Sequence, residues 1–435
     1  MKNFKDSGIE WLGEIPQHWE VVKIKFLAIF YTGDSIKDSE KHKYCFSSNS
    51  IPYIATKDID INTNVVDYNN GMFIEKLNTN FKRAYGNSIL LCLEGANAGK
   101  KIAFLNKEVC FVNKLCYVNS KSKKLISKFL FYFLQSVFFK NIFLSNIKGL
   151  IGGITTEQLG NFCMLLPSLK EQEQIANFLD EKCEQIKNFI EKKEKLISLL
   201  KEQKQALING TITKGLDKNV NFKDSGIEWL GEIPQHWEIV KLKYIISEKL
   251  TYGANETAEL SIKEHPRYIR ITDFDENGFL KNDTFKSLLP EIAKNFLLSE
   301  GDILFARSGA TVGKTFHFKN YQGMACYAGY LIKASINQKI ALSDYIFYYT
   351  KSYYYMQWKE LILNKATIEN IGADKYSELK IPLPSLKEQE EIVNFLDEKC
   401  EKIDLLIEKT KKQIKLIKEY KTTLINQAVC GRIDL

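Results

Sequence analysis

Three of the chain's five arginines, Arg267, Arg270 and Arg307, fall in one stretch; Arg83 and Arg432 are the others. A guanidinium is a planar fork of donors that matches the paired acceptors of a phosphate or of a guanine edge, so this stretch is a candidate for reading a polyanion. Arg307 opens the run Arg307-Ser308-Gly309-Ala310-Thr311-Val312-Gly313-Lys314-Thr315, and Leu93-Glu94-Gly95-Ala96-Asn97-Ala98-Gly99-Lys100-Lys101 occupies the matching place earlier. Both are glycine-bearing loops that end in Gly-Lys. A nucleotide-binding P-loop requires G-x-x-x-x-G-K-[ST], so that successive amides cradle phosphates and the hydroxyl holds magnesium. Here only three residues separate Gly309 from Gly313, Ser308 stands where the first glycine belongs, and Lys101 replaces the hydroxyl in the earlier copy. The loops therefore suit a DNA phosphate better than ATP. The plainer alternative is a hairpin whose glycines serve backbone geometry alone.

Other chemistry is hard to find. The chain has no Pro-Pro dipeptide, hence no [DNS]-P-P-[YFW] adenine-amine methyltransferase motif, and no H-E-x-x-H or G-x-S-x-G arrangement. His18 and His236 each lie in Pro-Gln-His-Trp and read as packed turns, while Asp180-Glu181-Lys182 sits inside a helical pattern as a solvated face. No catalytic residue, cofactor or metal ligand is expected. Nine cysteines without a CxxC pair read as reduced thiols of a cytosolic protein rather than a disulfide frame. The net charge of +8 permits a polyanionic partner without requiring one. The most apolar stretch, residues 129–144, is broken by Gln135 and Lys140 and reads as one buried helix, so no membrane partner is expected.

The elements that must position these residues come in duplicate. NFKDSGIEWLGEIPQHWE at 3–20 returns unchanged at 221–238, and LPSLKEQEQIANFLDEKCEQI from Leu166 returns as LPSLKEQEEIVNFLDEKCEKI from Leu383. The enclosed segments 21–165 and 239–382 have little in common. Repeated ends with dissimilar middles imply one framework task performed twice and two different tasks between. Ser168-Leu169-Lys170-Glu171 and Ser385-Leu386-Lys387-Glu388 are capping boxes after Pro167 and Pro384. After the first, Ile175, Leu179, Ile186, Ile190 and Leu200 recur at helical spacing; after the second, Ile392, Leu396, Ile403, Ile407 and Ile414 do so. Two helices of about 40 residues, roughly 60 Å each, follow, and their like stripes predict antiparallel pairing or a face for partner helices.

The middles read as mixed α/β. Tyr268-Ile269-Arg270-Ile271 alternates as a strand before Thr272-Asp273, matching residues 53–58 earlier; residues 301–305 and 88–91 are further strands. DNA contact is expected at Tyr53, Lys57, Lys82, Arg83, Lys100 and Lys101 in the first middle. In the second it is expected at Arg267, Arg270, Thr272, Arg307, Ser308, Thr311 and Lys314, with Arg270 and Arg307 as base readers.

GIEWLGEIPQHWE at both repeat starts, YIRITDFDENG, GDILFARSGATVGK and the LPSLKEQExI block leading into a long helix resemble the specificity subunit of bacterial type I restriction-modification enzymes, over essentially the whole chain. The resemblance implies a mixed α+β fold of two target-recognition domains, 1–166 and 218–383, with spacer helices at 167–217 and 384–435 paired as an antiparallel coiled coil under pseudo-two-fold symmetry. It also implies a non-catalytic, cytoplasmic subunit that binds double-stranded DNA at a split target. Two modification (methyltransferase) subunits and the restriction subunits would assemble around it. Leu93-Glu94 departs from the pattern by lacking the arginine. A DNA-specificity subunit serving a methyltransferase alone, or a coiled-coil scaffold that binds no DNA, are the alternatives.

Overall fold

The computed structural model describes residues 3–9, 12–147, 152–275, 280–363 and 370–435. Of the motifs above, Glu10, Trp11 and residues 276–278 lie outside this set. The chain forms two compact units, Met1–Glu194 with Thr410–Leu435, and Lys195–Lys409.

Each unit builds the same antiparallel sheet from a different sequence. In the first, Ala28–Thr32 pairs with Leu115–Ser120, which pairs with Ile89–Cys92, then Ile102–Phe104. In the second, Thr251–Tyr252, Leu331–Ala334, Ile303–Ala306 and Thr315–His317 follow in the same order. Beside each lies a parallel pair, Ser50–Ile54 with Val109–Phe111 and Arg267–Ile269 with Ala325–Tyr327. The inner strands are buried on both faces and are accordingly continuous apolar runs. Gly33 and Gly253 occupy the same close approach. A Cβ on Gly33 would stand 1.9 Å from the Phe111 carbonyl oxygen, and one on Gly253 2.2 Å from that of Tyr327.

Two expectations are corrected. The strand expected at 268–271 stops at Ile269, because buried Asp273 accepts from the Arg270 amide at 2.7 Å and turns Ile271–Asp273 into a 3₁₀ turn. Asp58 does the same to Ala55 at 2.8 Å. The single helix expected over 129–144 is two, Ser127–Phe133 and Val137–Ser145, since the Ser136 hydroxyl caps the second by accepting from the Phe139 amide.

The long helices run Leu169–Lys214 and Leu386–Val429. The first starts in a full capping box: the Ser168 amide and hydroxyl donate to Glu171, and the Glu171 amide to the Ser168 hydroxyl. That carboxylate also accepts from Trp19 Nε1 at 3.2 Å and lies 2.8 Å from His18 Nε2. Glu388 repeats this with Trp237 and His236, each at 3.0 Å. Both repeated blocks are thus one structural joint, in which the Pro-Gln-His-Trp turn grips the helix start. Gln172 and Gln389, fully buried, complete it. Gln172 accepts from the Ile126 amide and donates to the Lys124 and Pro167 carbonyls; Gln389 accepts from the Leu342 amide and donates to those of Ile340 and Pro384.

Candidate nucleic-acid interface

The Gly-Lys loops close β-hairpins. Gly95, Gly99, Gly309 and Gly313 all have φ between +69° and +84°, conformations that glycine adopts without strain. The Gly99 amide donates back to Cys92 and the Gly313 amide to Ala306, so each loop returns to an antiparallel strand and not to a helix. This is not the strand-loop-helix geometry of a P-loop. Lys100 folds back on its loop, Nζ donating to the Ala96 carbonyl at 3.1 Å, whereas Lys101 and Lys314 reach away from theirs to the carbonyls of Thr56 at 2.7 Å and Asp275 at 3.3 Å.

Main-chain bonds fix two equivalent points beside the loops. The Leu93 amide donates to the Lys114 carbonyl and the Ile154 amide to that of Leu93; the Arg307 amide donates to Tyr330 and the Ile371 amide to Arg307. Leu93 therefore corresponds to Arg307, and Lys114 to Tyr330. Sheet register adds a third point, since Thr32 faces Cys116 where Tyr252 faces Ile332. One frame thus carries Leu, Lys and Thr in one unit and Arg, Tyr and Tyr in the other.

The arginines separate sharply. Arg83 pairs with Glu108 at 3.0 Å and donates to the Lys76 carbonyl. Arg267 is buried, donates to the Lys281 carbonyl and lies over Phe285 and Tyr321. Arg270 clasps Asp273 through Nε and Nη2 and reaches the Thr284 carbonyl. Arg432 donates to the Leu12 carbonyl. Arg307 alone makes no side-chain hydrogen bond among the described residues; it lies 4.8 Å over the Tyr252 ring with a buried, unpartnered Nε. The expectation of Arg270 as a base reader meets a guanidinium already engaged by a buried carboxylate.

The remaining candidates scatter. Tyr53 is buried and donates its hydroxyl to the Asp34 carbonyl, so its ring faces the core and not solvent. Lys57 and Lys101 border an open cavity of about 600 Å³ that also contains Asp58, Asp60 and Asp67. Thr272 is exposed, Ser308 and Thr311 half-buried. Sequence reasoning did not single out Tyr252, which register matches to Thr32, or Tyr330 and Lys114, which main-chain bonds match to each other; the Tyr-Gly and Thr-Gly dipeptides at the two close approaches were the available sign for the first pair.

The sequence profile of the Type I restriction modification DNA specificity domain matches residues 16–201 and 234–416. The chain belongs to this specificity family. Full-length relatives include the type I restriction enzyme MjaVIII specificity subunit of Methanocaldococcus jannaschii, 28% identical over 99% of this chain and 96% of that protein. The EcoKI specificity subunit of Escherichia coli is 24% identical over 47% of this chain and 44% of its own. Among solved structures, a chain from a study of complex assembly and conformational transition of the type I R-M system superposes with a TM-score of 0.74 at 16% identity, covering 96% and 99% of the two chains. The HsdS subunit from Thermoanaerobacter tengcongensis gives 0.55 at 17% identity over 96% and 98%. These likenesses establish the mixed α/β specificity fold.

Within this specificity-family chain, the helical stripe divides its work. In the first unit Ile175, Leu179 and Ile186 share the core of their own globular part with Leu424, Ile425 and Val429 of the second helix, and Ile190 packs at its margin. In the second, Ile392 and Leu396 share a core with Ile208 and Ile212, while Leu200 meets Ile403 and Ile407 in a cluster of their own. Number rises along one helix as it falls along the other, so this pairing is antiparallel; Lys204 and Asp404 join it at 2.6 Å. Ile414 is only half-buried. Among the described residues no helix is long and apolar enough to cross a membrane.

Proposed function

We propose that this chain is the non-catalytic, cytoplasmic DNA-specificity subunit of a type I restriction-modification complex. Residues 1–166 and 218–383 act as two target-recognition domains that read the two halves of a split double-stranded target, and 167–217 and 384–435 are the spacer helices. The carrying observation is one hydrogen-bonded frame that differs at equivalent points: it presents Lys114 and Thr32 against Tyr330 and Tyr252, and places Arg307 where the first unit keeps Leu93 buried in its core. A shared frame with divergent readers is what two unlike half-sites demand, and phosphate contacts from Lys57, Lys100, Lys101 and Lys314, with Thr272, Ser308 and Thr311 beside the second loop, would position the duplex.

Two modification subunits would sit on the repeated framework, whose joints at Glu171 and Glu388 present like surfaces. Exposed apolar residues on the long helices, Phe189, Leu416 and Tyr420 in one unit and Leu196, Leu199 and Leu405 in the other, support a seat for partner helices. Restriction subunits would join through the modification subunits. The test is to co-express the chain with its modification subunit and map methylated adenines across genomic DNA. A split motif with a fixed gap, altered in one half when residues 21–165 are exchanged, is the expected result; a soluble complex with no motif refutes the reading.

A further inference from the structure

Resting on the DNA-reading assignment above, we infer that Arg307, held over the Tyr252 ring, is the DNA-contacting guanidinium of the second recognition domain, with exposed Tyr330 beside it along the main chain.

The argument begins from what a guanidinium costs. A buried N–H without an acceptor forfeits its hydration, so proteins rarely leave one unsatisfied without a reason. Arg83, Arg267, Arg270 and Arg432 all donate to carbonyls or carboxylates of this chain, whereas Arg307 donates to none among the described residues; its Nε is buried without a partner, as is that of Arg267, but Arg267 has a carbonyl on its Nη2 and Arg307 has no acceptor on any nitrogen. The fold nevertheless fixes its position. Its amide donates to the Tyr330 carbonyl at 3.0 Å and its carbonyl accepts from the Ile371 amide at 2.8 Å, which holds the main chain on both sides. Its platform is fixed too, because the Tyr252 hydroxyl accepts from the Ala373 amide at 3.0 Å.

A cation stacked on an aromatic face keeps its in-plane donors at the edge, which suits two acceptors side by side. On duplex DNA such acceptors are a phosphate's oxygens or guanine O6 and N7. Tyr330, whose carbonyl accepts from the Arg307 amide, is 65% exposed and adds an aromatic side chain to the same stretch of surface. The equivalent points of the first domain hold Leu93, which is buried, and Thr32, so this contact belongs to one half-site only.

The test uses the full chain bound to its modification subunit and a duplex carrying the motif that the wild-type complex methylates. Fluorescence anisotropy over a range of salt concentrations compares the wild type with Arg307→Ala, Arg307→Lys and Tyr252→Leu. Arg307→Ala is expected to weaken binding at least about fivefold, with Tyr252→Leu smaller in the same direction. Equal weakening across all sequences, a salt slope lower by about one and partial rescue by lysine identify a phosphate. Loss of preference at one position of the second half, unrescued by lysine, identifies guanine. Both outcomes support the contact. Unchanged affinity in both Arg307 variants overturns it, as does weaker binding of the modification subunit with DNA affinity intact. A wild-type complex that methylates no split motif overturns instead the reading on which this rests. Tyr252→Leu leaves Arg307 in place, so it decides the matter if the Arg307 variants fail to fold.

Discussion

Replacing Glu171 by alanine removes the centre of the joint between the repeated turn and the first long helix. The carboxylate caps the helix through the Ser168 amide and hydroxyl, and loss of such a cap costs about 1 kcal/mol. It also leaves the indole N–H of Trp19, which is 1% exposed, without its acceptor, a further 1–2 kcal/mol in order of magnitude. The expected loss is about 2–3 kcal/mol. For a unit of about 220 residues this lowers the melting temperature by about 4–12 °C. Scanning calorimetry of the full chain measures it. Glu171→Gln keeps an acceptor for Trp19 and should lose about half as much, while Glu388→Ala should act on the other unit. The same joint sets an acid limit. Burial alone would raise the carboxyl, but hydrogen bonds from Ser168, His18 and Trp19 outweigh it and bring it from 4.5 to about 2. Because the folded value lies below the unfolded one, the stabilisation is complete above about pH 4.5 and fades as pH falls towards 2. A melting shift under 2 °C for Glu171→Ala, or no difference in acid sensitivity from the wild type, would refute the reasoning.

Arg270→Ala leaves the buried Asp273 charge unpaired and should cost about 2–3 kcal/mol by denaturant titration, less than a fully buried pair because Arg270 is 27% exposed. Gly33→Ala or Gly253→Ala places a methyl against a carbonyl oxygen that cannot retreat, so each should destabilise its unit by about 3 kcal/mol or more, or abolish soluble expression. Burial, with repulsion from Lys314 and Lys204, brings the Lys351 ammonium from 10.5 down to about 8. Its folded value lies below the unfolded one, so the unfolded chain binds more protons between these values and the wild type gains stability relative to Lys351→Met as pH rises from about 8 to 10.5. A stability difference independent of pH in that window would contradict the assignment. Leu200→Ala should loosen the small cluster with Ile403 and Ile407 by about 2 kcal/mol, seen as faster amide exchange in both helices.

The framework was legible because its signals are local and occur twice: capping boxes, helical periodicity and identical blocks. Even so, the grip of His18 and Trp19 on Glu171 spans about 150 residues and leaves no periodic trace. The likeness of the two middles was half visible, in matched strands and Gly-Lys loops, but the parallel pairing of Arg267–Ile269 with Ala325–Tyr327 joins segments that no local pattern connects. The site was least legible. Residue type marked Arg267, Arg270 and Arg307 alike, and only tertiary partners separate them. Asp273, three residues after Arg270, was a local hint that the guanidinium was already engaged; nothing local showed that Arg307 was not.

The points that differ between the units are tied down by main-chain bonds. The carbonyl of Lys114 or Tyr330 holds the frame, and these side chains are exposed at turns outside the core. Exposed substitutions at such places usually change stability by within about 0.5 kcal/mol. Substitution at these two turns is therefore cheap for folding, whereas at Leu93, which lies in the core, it is not, so the frame separates positions that can vary freely from one that cannot.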